Sequence, residues 1–226
     1  MDFVTTIKGS WLLLLSGLGI TAIVSIMAIV VGIVLGFISC LMGLSRIWPL
    51  RVLSQIYVWV IRGTPMIVQA FIVYFGLPQL IQMFSPGFKI SAFAASAITL
   101  SINAGAYLSE IFRGGINAVD PGQIEAARSL GMSQARTMVR IILPQAVRIT
   151  IPSLVNQFII TVKDSSILSV IGLADLVNRA KVYVGGTYQF FATYVLVAVF
   201  YLAVISALMV ASRRIERRLN RDQGTN

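Results

Sequence analysis

From Leu18 to Met42 the chain is apolar and long enough to cross about 30 Å of hydrocarbon as a helix. Four more apolar stretches follow, over about 52–81, 90–112, 149–171 and 190–209. Inside a bilayer every backbone polar group has to be satisfied by the chain itself, which leaves helices and closed barrels as the spanning structures. Runs of this length read as helices. The expected fold is therefore an all-α membrane protein with about five transmembrane helices, a single domain over residues 1–226. Composition bears on this directly: 57% of the 226 residues are hydrophobic and 12% are charged, against about a quarter charged in an average soluble domain. The segment before Leu18 has no small-residue cleavage site after a short apolar core and does not read as a signal peptide.

The net charge of +10 does not point to nucleic acid here, because the arginines gather at the ends of the apolar segments. Arg213, Arg214, Arg217, Arg218 and Arg221 lie in the tail, Arg113, Arg128, Arg136, Arg140 and Arg148 between the third and fourth segments, and Arg46 and Arg51 between the first and second. With five spans these regions share one side, and the other side holds Lys8, Lys89, Arg179 and Lys181. The positive-inside rule then places the N-terminus outside and the C-terminus in the cytoplasm. The chain has no histidine, which removes His-based acid–base chemistry and most zinc sites, and no phosphate-binding G-x-x-x-x-G-K-[ST] loop. Its one cysteine, Cys40, has no partner for an intramolecular disulfide. Ala28, Gly32, Gly36 and Cys40 recur every four residues, a small-residue stripe suited to close approach of another helix, in this subunit or in a second one.

Between the third and fourth apolar segments lies a polar, helix-forming stretch, Asp120 to Pro144. Asp120 and Pro121 suit the N-cap and first position of a helix, and Gln123 is placed to complete a reciprocal capping box. Ile124, Ala127 and Leu130 repeat at helical spacing as one apolar face. Gly131 stands where a helix turns left-handed and ends, and Ser133 can cap a second helix along which Met138, Ile141, Ile142 and Gln145 share a side. Pro144 is expected to bend the path back towards the membrane.

Glu125-Ala126-Ala127, three residues, Gly131, nine residues, Ile141, one residue, then Leu143-Pro144: this spacing resembles, without a gap, the EAA loop of ABC importer permeases. Two further stretches strengthen the likeness. Arg62-Gly63-Thr64-Pro65-Met66-Ile67-Val68-Gln69 and Lys163-Asp164-Ser165-Ser166 are similar to segments of the polar amino-acid branch of that family. The resemblance covers nearly the whole chain. It implies a permease subunit of a bacterial ABC importer in the inner membrane, moving a polar amino acid by alternating access. It also implies partners: a pair of ABC ATPase subunits, a second permease subunit (identical or a relative) and an extracytoplasmic amino-acid-binding protein. In that family the loop is cytoplasmic and docks in a groove on the ATPase, so Glu125, Ala126, Ala127, Gly131, Leu143 and Pro144 become docking candidates. ATP hydrolysis falls to a partner chain, and no cofactor or metal is implied.

Polar groups inside the apolar segments are expensive, and so are candidates for function. Arg62, beside a Gly and a Pro that would distort a helix, either snorkels to headgroups or faces a pathway. Glu110 and Arg113 are spaced to pair on a helix, and Asn103 either bonds a neighbouring helix or faces the pathway. Lys163 and Asp164 are adjacent, so they do not face each other. A zwitterionic amino acid needs a cation for its carboxylate and an anion for its ammonium, which this pair can supply. The pathway candidates are thus Arg62, Asn103, Lys163, Asp164 and Ser165; the other reading is snorkelling for Arg62, helix–helix bonding for Asn103, and helix–helix bonding or a lumen-facing structural pair for the Lys163–Ser165 stretch. Two further classes stay open: an ATP-independent carrier or channel, which leaves the loop unexplained, and a membrane-embedded enzyme, for which the few carboxylates make a constellation hard to assemble.

Overall fold

The structure, a computed structural model, describes residues 3–221, with side chains over 3–217. The side chains of Arg218 and Arg221, which enter the charge argument, lie outside the described residues. The described residues are helical with short connections. In order, α1 is Phe3–Gly43, α2 Trp48–Gly63 and α3 Met66–Gln82. Then come α4 Ala92–Asn117, α5 Pro121–Ser129, α6 Gln134–Ile171, α7 Leu176–Thr187 and α8 Phe190–Arg221. Four helices, α1, α4, α6 and α8, are long and apolar enough to cross a membrane, and α2 with α3 makes a fifth span if the pair is taken as one.

That pair is the main departure from the sequence reading. The run expected as one span over 52–81 is two helices set at 106°. The chain leaves helical geometry at Thr64 and Pro65, both extended. Pro65 disfavours the helical region for Thr64, because its ring crowds the preceding residue. Arg51, expected in a polar break, lies in α2. Pro78 to Lys89, which Pro86 and Gly87 mark as a loop in the sequence, stays helical up to Gln82; the connection that follows ends at Ser91, whose hydroxyl caps α4 by accepting from Ala94 N–H.

The small-residue stripe of α1 turns inward, against α4. An added Cβ at Gly36 would come within 2.7 Å of Leu108 Cβ and 2.8 Å of the Gly105 carbonyl, and one at Gly32 within 3.0 Å of Ala104 Cβ. Small residues on both helices thus set the α1–α4 distance, and the stripe is packing within this subunit. A core of Val24, Ala28, Ala70, Ala95, Leu100, Leu168 and Ile171 joins α1, α3, α4 and the end of α6. A second, Leu14, Leu176, Ala180, Val197 and Phe200, seats α7 between α1 and α8.

Among the described residues two helices contain a π turn, Ile72–Gly76 in α3 and Met138–Ile142 in α6. Each is followed by Leu and then Pro, at 77–78 and 143–144. A proline has no N–H for the carbonyl four residues back and its ring collides with that carbonyl. Those carbonyls belong to Tyr74 and Arg140, both within the π turns, and widening the helix moves them aside. At Pro144, expected to bend the path, the chain stays helical. The helix widens and runs on into the membrane span, so that α6 is continuous from Gln134 to Ile171. Its last residues, Ser165–Ile171, tighten to 3₁₀ geometry and stop at Gly172, with φ +88°. The sequence from Gly172 to Thr187 suggests a break between spans, with Gly185-Gly186 as a flexible turn; it is instead mostly α7, helical through both glycines.

Candidate functional site

The loop forms three of its four expected local devices. Asp120 caps α5, its carboxylate accepting from Gly122 N–H at 2.8 Å. Gly131 adopts φ +78°, and Met132 N–H closes the turn on the Ala127 carbonyl at 3.1 Å. The capping box does not form. Gln123 turns away from Asp120 and its side-chain carbonyl accepts from Gln145 Nε2 at 2.6 Å, tying α5 to α6. Ser133 caps α6, accepting from Arg136 N–H.

Packing sorts the docking candidates. Ala127 is buried, and Val119, Ile142 and Ala146 form a small core flanked by Ile116, Ile124 and Met138. Glu125 and Ala126 are exposed on the far side of α5, Gly131 and Pro144 are exposed, and Leu143 is half-buried. Leu130, expected on the apolar face with Ile124 and Ala127, is instead 84% exposed. The turn thus presents Glu125, Ala126 and a bare leucine together. Arg46, from the α1–α2 connection, donates to the Gln134 side chain at 2.9 Å and steadies the start of α6.

The α2–α3 junction is where the sequence-derived pathway residues Arg62 and Asn103 meet partners. Arg62 Nη1 lies 3.4 Å from Glu110 Oε2, and its guanidinium sits 5.3 Å from the centre of the Tyr107 ring. Arg113 reaches the same Glu110 oxygen, the expected pair three residues apart. One carboxylate is therefore shared by two guanidiniums. Beyond the bend, Asn103 Nδ2 donates to Gln69 Oε1 at 3.1 Å. Gln69 Nε2 in turn donates to the carbonyls of Ile61 at 2.8 Å and Thr64 at 3.1 Å and to Thr64 Oγ1 at 3.0 Å. Gln69 appears in the sequence reading only within the RGTPMIVQ stretch; an amide one turn after a Thr-Pro break is the signal that marks it. A cavity of about 540 Å³ opens between α1, α2 and α4, with Arg62, Tyr107, Glu110 and Arg113 on its wall.

Lys163 and Asp164 end the α-helical part of α6. Lys163 is exposed and Asp164 half-buried. Among the described residues neither has an ion-pair partner within 4.0 Å. Ser165 is buried and its hydroxyl donates to the Val162 carbonyl at 2.8 Å, so it faces the backbone of its own helix. Arg62 and Asn103 are thus engaged with neighbours, while the Lys163–Asp164 pair is left unpartnered.

A further ionisable group, Asp175, lies outside the spanning segments and was not singled out as a site residue. It is fully buried and caps α7, accepting from Val177 and Asn178 N–H at 3.3 Å and 3.0 Å. Burial pushes its carboxyl up to about 6 from the ordinary 3.8, against the opposing pull of the two N–H groups and of Lys181. Lys181 itself donates to Ser169 Oγ at 3.0 Å, linking α7 to the end of α6.

Comparison with known proteins places this arrangement. The arginine transport system permease protein ArtQ of Bacillus subtilis (strain 168) is 38% identical over 206 residues, 91% of this chain and 92% of the relative. A putative glutamine transport system permease protein GlnP of Rickettsia bellii (strain RML369-C) is 38% identical over 208 residues, 92% and 93% of the two chains. A crystal structure described as an amino acid ABC transporter with histidines superposes with a TM-score of 0.91 at 41% identity, over 96% of this chain and 99% of that one. The sequence profile of a family described as the binding-protein-dependent transport system inner membrane component spans residues 28–221. The chain is thus a multi-pass membrane protein that belongs to the family of binding-protein-dependent transport system inner membrane components.

Proposed function

We propose that this chain is the permease subunit of an ATP-driven importer that carries a polar amino acid into the cytoplasm by alternating access. The observation that carries the reading is the continuity of α6. One helix joins the Gly131 turn, with Glu125, Ala126 and Leu130 exposed beside it, to the unpartnered Lys163–Asp164 pair. In this reading a separate ATPase pair seats the 120–144 loop, with Glu125 offering charge, Ala126 and Leu130 offering contact, and Gly131, Leu143 and Pro144 shaping the loop. Closure of the ATPases on ATP moves the loop, and α6 carries that movement to the middle of the subunit. The N-terminus lies outside and the loop and C-terminus lie in the cytoplasm, a placement that the arginine distribution supports.

The pathway passes Arg62, Asn103, Lys163, Asp164 and Ser165. Lys163 and Asp164 are the groups free to meet a carboxylate and an ammonium, while Arg62 and Asn103 shape the wall through Glu110 and Gln69. A second permease subunit completes the enclosure, and an extracytoplasmic binding protein delivers the substrate. The relatives' names, arginine and glutamine transport permeases, support the polar amino-acid class. The chain itself performs no chemistry on the substrate.

The test is recovery of the chain from its native membranes in mild detergent, followed by uptake in proteoliposomes. ATP-dependent uptake by the recovered complex, with loss of uptake but normal membrane insertion for Gly131→Pro, supports the reading. Uptake that persists without ATP, or that survives Gly131→Pro, refutes the coupling assignment.

A further inference from the structure

We infer that Gln69 is a positioning residue for transport: it clamps the 106° junction between α2 and α3, and Asn103 of α4 holds the clamp in register. The last carbonyls of a helix have no partner within it, and inside a bilayer no water takes their place. At the end of α2 these groups are met by side chains. Thr64 Oγ1 donates to the Val60 carbonyl at 2.8 Å, and Gln69 Nε2 serves the Ile61 and Thr64 carbonyls. Gln69 has two amide hydrogens for three acceptors, so its orientation is fully committed. Its carbonyl oxygen then receives Asn103 Nδ2, and both residues are buried, at 8% and 7% exposure. The amide thus sits on α3, satisfies the end of α2 and is aimed by α4.

The same helix α4 holds the other arm, because Glu110 and Tyr107 engage Arg62 on the last turn of α2. α4 therefore contacts both arms of the broken helix, through Asn103 on one side of the bend and Glu110 on the other. Its C-terminal end leads within a few residues to Asp120, the start of the docking loop. A displacement of the loop that moves α4 along its axis acts on both grips at once, so the angle between α2 and α3 follows α4. The role in transport rests on the permease reading above; the clamp itself does not.

The experiment uses the full chain with Cys40→Ser and spin labels at Leu53→Cys on α2 and Leu80→Cys on α3, both exposed positions. Pulsed EPR distances are measured in lipid nanodiscs, and uptake of radiolabelled arginine, glutamine and histidine is measured for the complex recovered from native membranes. With Gln69 in place the distance distribution is narrow; Gln69→Leu broadens it and lowers uptake by about tenfold at unchanged membrane level, the scale of losing a buried hydrogen-bonding group. Gln69→Glu supplies a readout that a merely space-filling residue would not move. Its carboxyl donates a hydrogen to the carbonyls only when protonated, so the narrow distance returns at about pH 5 and is lost at about pH 8. An unchanged distance in Gln69→Leu, or a Gln69→Glu distance indifferent to pH, overturns the clamp. Absence of uptake by the unsubstituted complex counts against the permease reading alone, since the distances judge the clamp without it.

Discussion

Arg62 on α2 and Glu110 on α4 stand 3.4 Å apart, and Arg113 shares the same carboxylate oxygen. All three side chains stay partly exposed, at 43%, 28% and 51%, so each pair contributes modestly, about 1 kcal/mol or less. Removing the carboxylate affects both guanidiniums. Glu110→Gln is expected to lower stability by about 1 kcal/mol, and Arg62→Gln on that background to add little. A double-mutant cycle on thermal unfolding checks this; additive losses would mean that the ion pair carries no coupling.

Asp175 makes stability depend on pH. Its folded pKa of about 6 lies above the ordinary 3.8, so the folded state binds the proton more tightly than the unfolded state. The sign follows: stability is greatest below the lower value and declines as pH rises through the window. Above about 6 the penalty is constant, on the order of 3 kcal/mol. Asp175→Asn keeps a capping oxygen and removes the charge, and is expected to flatten the profile across that window. Melting temperatures in detergent at a series of pH values test it, and an unchanged slope in the variant would assign the dependence to another group.

Glycines on α1 should respond oppositely to one added methyl. At Gly36 a Cβ meets Leu108 Cβ at 2.7 Å and a backbone carbonyl at 2.8 Å, so Gly36→Ala forces α1 and α4 apart at about 1–3 kcal/mol. At Gly19 nothing lies within 4 Å, and Gly19→Ala is expected to be neutral or to stabilise by up to about 1 kcal/mol. Comparable melting temperatures for the two variants would contradict the close α1–α4 contact.

Pro144→Ala restores an N–H and removes the ring that displaces the Arg140 carbonyl. The π turn Met138–Ile142 is then free to tighten to an α-helix. Taking one residue out of the widened turn rotates the loop against the span by about 100°. The expected outcome is normal insertion with reduced ATP-dependent uptake, and slower amide exchange at 138–144 by mass spectrometry. Unchanged exchange there would show that the turn does not depend on the proline.

Local chemistry was legible in the sequence, and long-range pairing was not. Apolar length marked α1, α4, α6 and α8, and Asp120, Gly131 and Ser133 punctuated the loop as their side chains and backbone freedom dictate. Arg62-Gly63-Thr64-Pro65 announced a distortion, but not a 106° turn, because the amide that bridges the turn, Gln69, is aimed by Asn103 on α4, 34 residues further on. The π turns have a local cue in Leu-Pro, which reads as the start of a loop at Pro78 and as a bend at Pro144 rather than as a widening. Gly185 and Gly186 read as a turn by propensity, yet α7 runs through them, held by a buried cap and by packing against α1 and α8. Leu130 fits the helical period and is still bare, because α5 is too short to lay that position on the core.

The break at Thr64–Pro65 also constrains biogenesis. At 1.5 Å per residue the 16 residues of α2 reach about 24 Å and α3 about the same, less than the hydrocarbon thickness of about 30 Å. Neither arm is an independent insertion unit, and Gln69, the donor to the carbonyls at their junction, is aimed by a residue that comes later in the chain. Asn103 follows Gln69 by 34 residues. The α2–α3 pair therefore reaches its final geometry only after α4 has been synthesised and has entered the bilayer, which makes α4 the step at which a nascent chain commits to its native topology.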